Sequence, residues 1–240
     1  MLSAAPVSVD SPTERVRATV ALIEARGYAL PPERLGRLCL GGALDAGEVL
    51  RAVASSPDLR LAEGLVLPAA ALARALSIRA RAAGHAAARD RYLGEARAFG
   101  RRLGRLPFVL AVSIAGSLAS GGFAASDDID FNLVVAGGAR YRAYCALNGL
   151  GYLNALRHRS KPVDVHTRRP IAPRVMTANL ILELPECRPL ARQDAAMAFE
   201  LLSSETVVGG EVLRSVVESN PGLGAHFPQR RERAAETARA

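Results

Sequence analysis

The stretch from Leu106 to Ser126 carries no charged residue and ends abruptly in Asp127-Asp128-Ile129-Asp130. At 21 residues it is nominally long enough to span a bilayer. Pro107, Gly116, Gly121, Gly122 and four serines break it up, however, so it reads as a buried strand followed by a loop. Upstream the apolar residues recur at helical spacing; from Phe108 onward the pattern becomes strand-like. A chain of 240 residues that is 50% hydrophobic and 22% charged has material for one large or two small cores, which excludes a disordered, collagenous or coiled-coil protein.

Segment by segment, the pattern predicts an α+β protein. Helices are expected at Thr13–Arg26, Pro32–Leu40 and Ala46–Ala54, the last capped by Asp45. Leu59, Leu61, Leu65 and Leu67 alternate around Glu63-Gly64, a hairpin signal. An Ala/Arg-rich helix follows from Ala69 to about Gly104, packed on one side. Strands are expected at Phe108–Ile114, Asp128–Val135, Val163–His166 and Asn179–Leu184, with a helix at Tyr141–Leu156 and two C-terminal helices near Gln193–Leu202 and Glu211–Ser219. The implied divisions are a winged-helix-like module at 1–68, a basic connector at 69–105, a small mixed sheet flanked by helices at 106–185, C-terminal helices at 186–229 and a basic tail at 230–240.

The formal charge of +8 invites a nucleic-acid reading, but its distribution argues against one. Residues 1–73 are net −1, and the third helix, which would have to enter a groove, offers only Arg51 beside Asp45 and Glu48. The excess sits in 74–105 and in 140–174, each net +7. DNA is therefore a disfavoured partner, and the second basic stretch suits a polyanionic substrate. Cys39, Cys145 and Cys187 are odd in number and far apart, so neither a disulfide framework nor a zinc site is expected. The first fifteen residues lack the basic start and apolar stretch of a signal peptide. A cytoplasmic, non-membrane protein is the expectation.

The chemistry concentrates at Gly116-Ser117 and Asp128-Ile129-Asp130. Asp128 and Asp130 are two residues apart on a strand and project to one face. Two adjacent carboxylates repel unless a cation lies between them, which suggests a Mg²⁺ site of oxygen ligands. Gly116-Ser117, at a strand-to-helix turn, can offer backbone N–H groups and a hydroxyl to phosphate oxygens. An anion cradle facing a metal site suits metal-assisted phosphoryl or nucleotidyl transfer. Asp127 reads as a solvated neighbour. His85, His158, His166 and His226 form no ligand set, although His166 shares a strand with Asp164.

Ala115-Gly116-Ser117, ten intervening residues and Asp128-Ile129-Asp130-Phe131 resemble the signature of the nucleotidyltransferase superfamily that includes DNA polymerase β and the minimal bacterial nucleotidyltransferases. The motif core covers residues 108–167; a looser likeness to bacterial nucleotidyltransferase-domain proteins extends through Asn179-Leu-Ile-Leu-Glu183 and Glu218-Ser-Asn-Pro221. The resemblance implies that Asp128 and Asp130 bind Mg²⁺ at a two-metal site. It further implies that Asp164, in Val163-Asp164-Val165, completes that site or helps deprotonate the attacking hydroxyl, and that Gly116 and Ser117 hold a nucleoside triphosphate. Family members often carry a basic residue three positions after the serine, where this chain has Ser120; Arg140 or Arg142 are the expected substitutes. The implied activity is transfer of a nucleoside monophosphate to an acceptor whose identity the motif does not specify. Two rivals remain: a non-catalytic nucleotide-sensing regulator with a DNA-binding winged helix, and a toxin–antitoxin-type transferase acting on protein or tRNA.

Overall fold

Asp45 begins its helix as its position predicts: Oδ1 accepts the Glu48 N–H at 2.7 Å, and Glu48 Oε2 accepts the Asp45 N–H at 2.8 Å. Ser11 and Glu14 form the same reciprocal capping box one helix earlier. The computed structural model describes residues 11–123, 127–156 and 176–229, the side chains of 85, 87 and 88 excepted. It is α+β, and the chain forms two compact units, Met1–Ala80 with Arg192–Leu202 and Pro221–Ala240, and Arg81–Ala191 with Ser203–Asn220. The tail expected at 230–240 lies outside the described residues.

In the first unit, α1 (Pro12–Glu24), α2 (Pro32–Arg37) and α3 (Ala46–Ser55) precede a hairpin of β1 (Leu59–Ala62) and β2 (Leu65–Pro68). Val16, Val20 and Ile23 of α1 are buried with Val49 and Val53 of α3, the faces that the spacing predicts. Glu63 and Gly64 both have positive φ, 54° and 75°, the pairing that a two-residue hairpin turn needs to match the twist of its strands. Leu30 adds an isolated antiparallel bridge to Val66. A 3₁₀ turn at Ala69–Arg74 leads into α4 (Ala75–Leu103), within which the division between the units falls.

The second unit is organised by β3 (Val109–Ile114), a one-turn α5 (Gly116–Ser120), β4 (Ile129–Val135), α6 (Arg140–Ala155) and β5 (Met176–Glu183). After β5 come a 3₁₀ turn at Leu184–Cys187, α7 (Ala195–Leu202), β6 (Glu205–Val208), α8 (Gly210–Glu218) and α9 (Pro221–His226), of which α7 and α9 belong to the first unit. The sheet order is β5-β4-β3-β6, with β4 and β5 parallel and the other pairs antiparallel. It is the small mixed sheet expected from the sequence, with one correction. The sequence reading has only two helices after Leu184, whereas β6 lies between them and pairs with β3, and α9 follows them. Four half-exposed residues carry too little alternation to announce a strand; the ladder with β3 makes one. The strand expected at Val163–His166 lies outside the described residues.

Ile129, Phe131, Leu133 and Val135 of β4 point to one face and are fully buried against Leu93, Ala96, Phe99 and Leu103 of α4 and Ala143 and Leu147 of α6. Phe99 and Phe131 pack with ring centroids 5.4 Å apart. This alternation fixes the register and sends Asp130 and Asn132 to the opposite face.

The N-terminus of α6 has no side-chain cap of its own. Glu183, at the end of β5, supplies one from across the fold: it accepts the N–H groups of Gly138 at 2.9 Å and Arg140 at 3.2 Å. Those backbone bonds, Gly138 first, hold its carboxyl below the ordinary glutamate range. A lowered folded-state pKa contributes stability that is complete above the unfolded-state value and is lost as pH falls through the folded one. Thermal midpoints of the wild-type protein should therefore drop more steeply on acidification below the glutamate range than those of Glu183→Gln, and equal slopes would contradict the cap.

Candidate functional site

The Gly-Ser turn begins where β3 stops pairing. The Ala115 N–H still donates to the Asp130 carbonyl at 2.8 Å, and Gly116 then turns out of the sheet with φ +62°. A Cβ at Gly116 would overlap Asp130 Oδ2 and lie 3.1 Å from the carboxylate carbon. Glycine is required here twice over, by its backbone angle and by the carboxylate resting on it.

The structure brings together four of the five residues singled out from the sequence. Asp130 lies on β4 and Asp128 immediately precedes it, with Ile129 and Phe131 buried on the reverse face. Gly116 abuts Asp130. The Ser117 hydroxyl lies 3.1 Å from Asp127 Oδ2 and hydrogen-bonds to it. Asp164 lies outside the described residues, as do Val163, Val165, His158 and His166. The remaining described histidine side chain, His226, faces the Gln193 carbonyl at 3.1 Å in the first unit, a structural role.

Two residues that sequence reasoning passed over, Thr177 and Arg81, and one that it misread, Asp127, complete the surroundings. Thr177, paired in register with Asp130 on β5, donates its hydroxyl to Asp130 Oδ1 at 2.8 Å and orients that carboxylate. Asp127 is not a solvated neighbour: only 16% of its side chain is exposed, and Oδ2 pairs with Arg81 Nη2 at 2.6 Å. Arg81 Nε also donates to the Gly122 carbonyl at 2.5 Å, so one guanidinium ties α4 to two points of the segment that separates the two motif halves. A hydrophobic Thr-x-Asn pattern gives no hint of the Thr177 contact, and the Arg81–Asp127 pair spans 46 positions.

The cation expected from Arg140 or Arg142 is corrected at the same time. Both follow β4, whose seven residues set its two ends about 20 Å apart. Arg140 pairs with Glu186, and the Arg142 guanidinium lies 5.2 Å from the centre of the Phe108 ring. Neither is near the Gly-Ser turn. Much of the connector's positive charge is likewise spent locally: Arg74 pairs with Glu24, Arg79 with Glu63, and Arg97 with Glu205.

Electrostatically, α5 is only five residues long, and the Gly121 and Gly122 N–H groups donate back to the Ser117 carbonyl at 2.9 and 3.0 Å. So short a helix supplies little dipole, and an anion at this turn depends on side chains. Asp128, Asp130 and Thr177 each carry hard oxygen donors, the chemistry that suits Mg²⁺ rather than a softer metal. Among the described residues, no group of three or more His, Cys, Asp or Glu side chains gathers in metal-ligand geometry. A ligand set built here draws on two carboxylates and a hydroxyl. No helix among the described residues is long and apolar enough to cross a membrane.

Compared with known proteins, the chain matches no protein-family model, no curated protein and no solved structure.

Gly116→Ala should cost at least about 1–3 kcal/mol in denaturant unfolding, because it adds a strained backbone angle to the overlap with Asp130. The same substitution at Gly64, where an added Cβ meets nothing within 4 Å, carries only the backbone strain and should cost less. Equal losses at the two positions would contradict the close packing of Gly116 on Asp130.

Proposed function

We propose that the chain is a Mg²⁺-dependent nucleotidyltransferase that moves a nucleoside monophosphate from a nucleoside triphosphate to an acceptor hydroxyl or phosphate. The observation that carries the reading is the packing of Gly116 directly against the Asp130 carboxylate. Two motif halves separated by ten residues of sequence meet in space, as a triphosphate bridging a Gly-Ser turn and a metal site requires.

In this reading Asp128 and Asp130 hold the metal, and Thr177 fixes the rotamer of Asp130 so that its second oxygen stays on the Gly116 side. Ser117 contacts a phosphate oxygen. The buried face of β4 keeps Asp130 from rotating away, since a half-turn of the strand would take Ile129 and Phe131 out of their packing. Bound Mg²⁺ neutralises charge on the phosphates and lowers the pKa of an attacking hydroxyl. Asp164 remains the candidate third carboxylate. The attacking oxygen forms a bond to the α-phosphorus, the bond from that phosphorus to the β-bridging oxygen breaks, and pyrophosphate leaves.

A second reading, a nucleotide-sensing regulator that binds DNA, draws support from the order of three helices and a hairpin in the first unit and from the Leu30–Val66 bridge. The outer surface of α3 weighs against it: Gly47, Leu50, Arg51, Ala54 and Ser55 are exposed there, with Arg51 the single cation. Phosphate contacts supply most non-specific DNA affinity, and one arginine neutralises one phosphate.

The decisive assay supplies triphosphates labelled at the α- or the γ-phosphate, with Mg²⁺ and fractionated cell extract as the source of acceptors. Label should transfer from the α-position only. Asp128→Asn and Asp130→Asn should each reduce transfer by about 10²-fold or more, the scale of losing a key electrostatic group. Transfer from the γ-position, or wild-type rates in both variants, would overturn the reading. A salt-sensitive DNA mobility shift without transfer would favour the regulator instead.

A further inference from the structure

Phosphate binding at a turn as short as α5 needs a cation, and the candidates named from the sequence, Arg140 and Arg142, lie at the wrong end of β4. Arg81 is at the right end. Its side chain is 27% exposed, and it reaches the loop from α4 through Nε to the Gly122 carbonyl and Nη2 to Asp127 Oδ2. A guanidinium has five N–H donors. Among the described residues two are engaged, which fixes the plane of the group and leaves the others for a ligand. Asp127 Oδ2 is also the acceptor for the Ser117 hydroxyl, so Arg81 and Ser117 touch the same oxygen from two sides. Two groups that share one acceptor are close enough for the oxygens of a single phosphate to bridge them.

We propose that Arg81 is the phosphate-binding cation of this site, held on the Gly-Ser turn by Asp127 and binding the triphosphate together with Ser117. The inference rests on the reading of the site as a triphosphate site and adds the residue that recognises the polyphosphate. Asp127 acts as a counter-charge: it keeps Arg81 in place when no anion is bound, and an incoming phosphate takes over part of its pairing with Arg81 and Ser117. A guanidinium is pre-shaped for two oxygens of one phosphate where an ammonium is not, so lysine is a poor replacement.

Direct titration with inorganic tripolyphosphate in the presence of Mg²⁺ tests this without knowledge of base or acceptor. Arg81→Gln should weaken binding by about 10-fold or more, as expected for loss of a charge-assisted bidentate contact, and Arg81→Lys should recover only part of it. Asp127→Asn keeps an acceptor for Arg81 and Ser117 while removing a negative charge beside the phosphate. Tripolyphosphate should bind it several-fold more tightly than it binds the wild type. A residue that merely braced the loop would give the opposite sign, because weakening the brace would weaken binding. Arg81→Gln and Arg81→Lys with wild-type affinity, or Asp127→Asn with weakened affinity, would overturn the assignment. Ser117→Ala and Asp130→Asn separate the two levels of the proposal. Weakened binding in these variants with no effect at Arg81 sinks the Arg81 role alone, whereas a wild-type protein that binds no tripolyphosphate sinks the triphosphate site and the Arg81 role together. Circular dichroism melts on each variant show whether a loss reflects unfolding, and Arg81→Lys, which keeps the charge, carries the test if Arg81→Gln fails to fold.

Discussion

The alternation of β4 is the constraint on which the site depends. Ile129, Phe131, Leu133 and Val135 are each fully buried on one face, and a one-residue slip would move all four off it together. Burying such side chains contributes about 1.5–3 kcal/mol apiece, far more than a hydrogen bond on the opposite face. The hydrophobic core thereby decides where Asp130 points, and the cost of holding a carboxylate next to Asp128 is met by the whole sheet. Gly116, Thr177 and Asn132 then adjust to a carboxylate whose position is already fixed.

Around that strand the charges are arranged in two layers. Asp130 accepts a hydrogen bond from the Thr177 hydroxyl and rests on Gly116. Asp127, three positions earlier, is paired with Arg81 and does not add to the repulsion at Asp128 and Asp130. Three acids within four positions are tolerable because one of them is paired from α4.

Features that depend on local chemistry were legible in the sequence. The Asp45 cap, the Glu63-Gly64 turn and the strand character of 109–114 and 129–135 all follow from side-chain preference and period two. Features that depend on long-range pairing were not. β6 is a strand because β3 offers it an edge, and its four residues alone do not say so. Arg81 looks like one of nine arginines in the basic stretch 74–105, and Asp127 like a bystander, until the fold brings them to 2.6 Å. Placing the phosphate-site cation on α6 followed sequence proximity to the motif; β4 carries that helix to the far end of the sheet.

The central claim is that Asp128 and Asp130 form a metal site completed by a nucleoside triphosphate at the Gly-Ser turn. Mn²⁺ in place of Mg²⁺ makes that occupancy directly visible by electron paramagnetic resonance. The account predicts protein-bound Mn²⁺ in the presence of triphosphate, with ³¹P couplings to the phosphates, and loss of that signal in Asp130→Asn. An unchanged bound-Mn²⁺ signal in Asp130→Asn, or wild-type Mn²⁺ binding without ³¹P coupling, would contradict it.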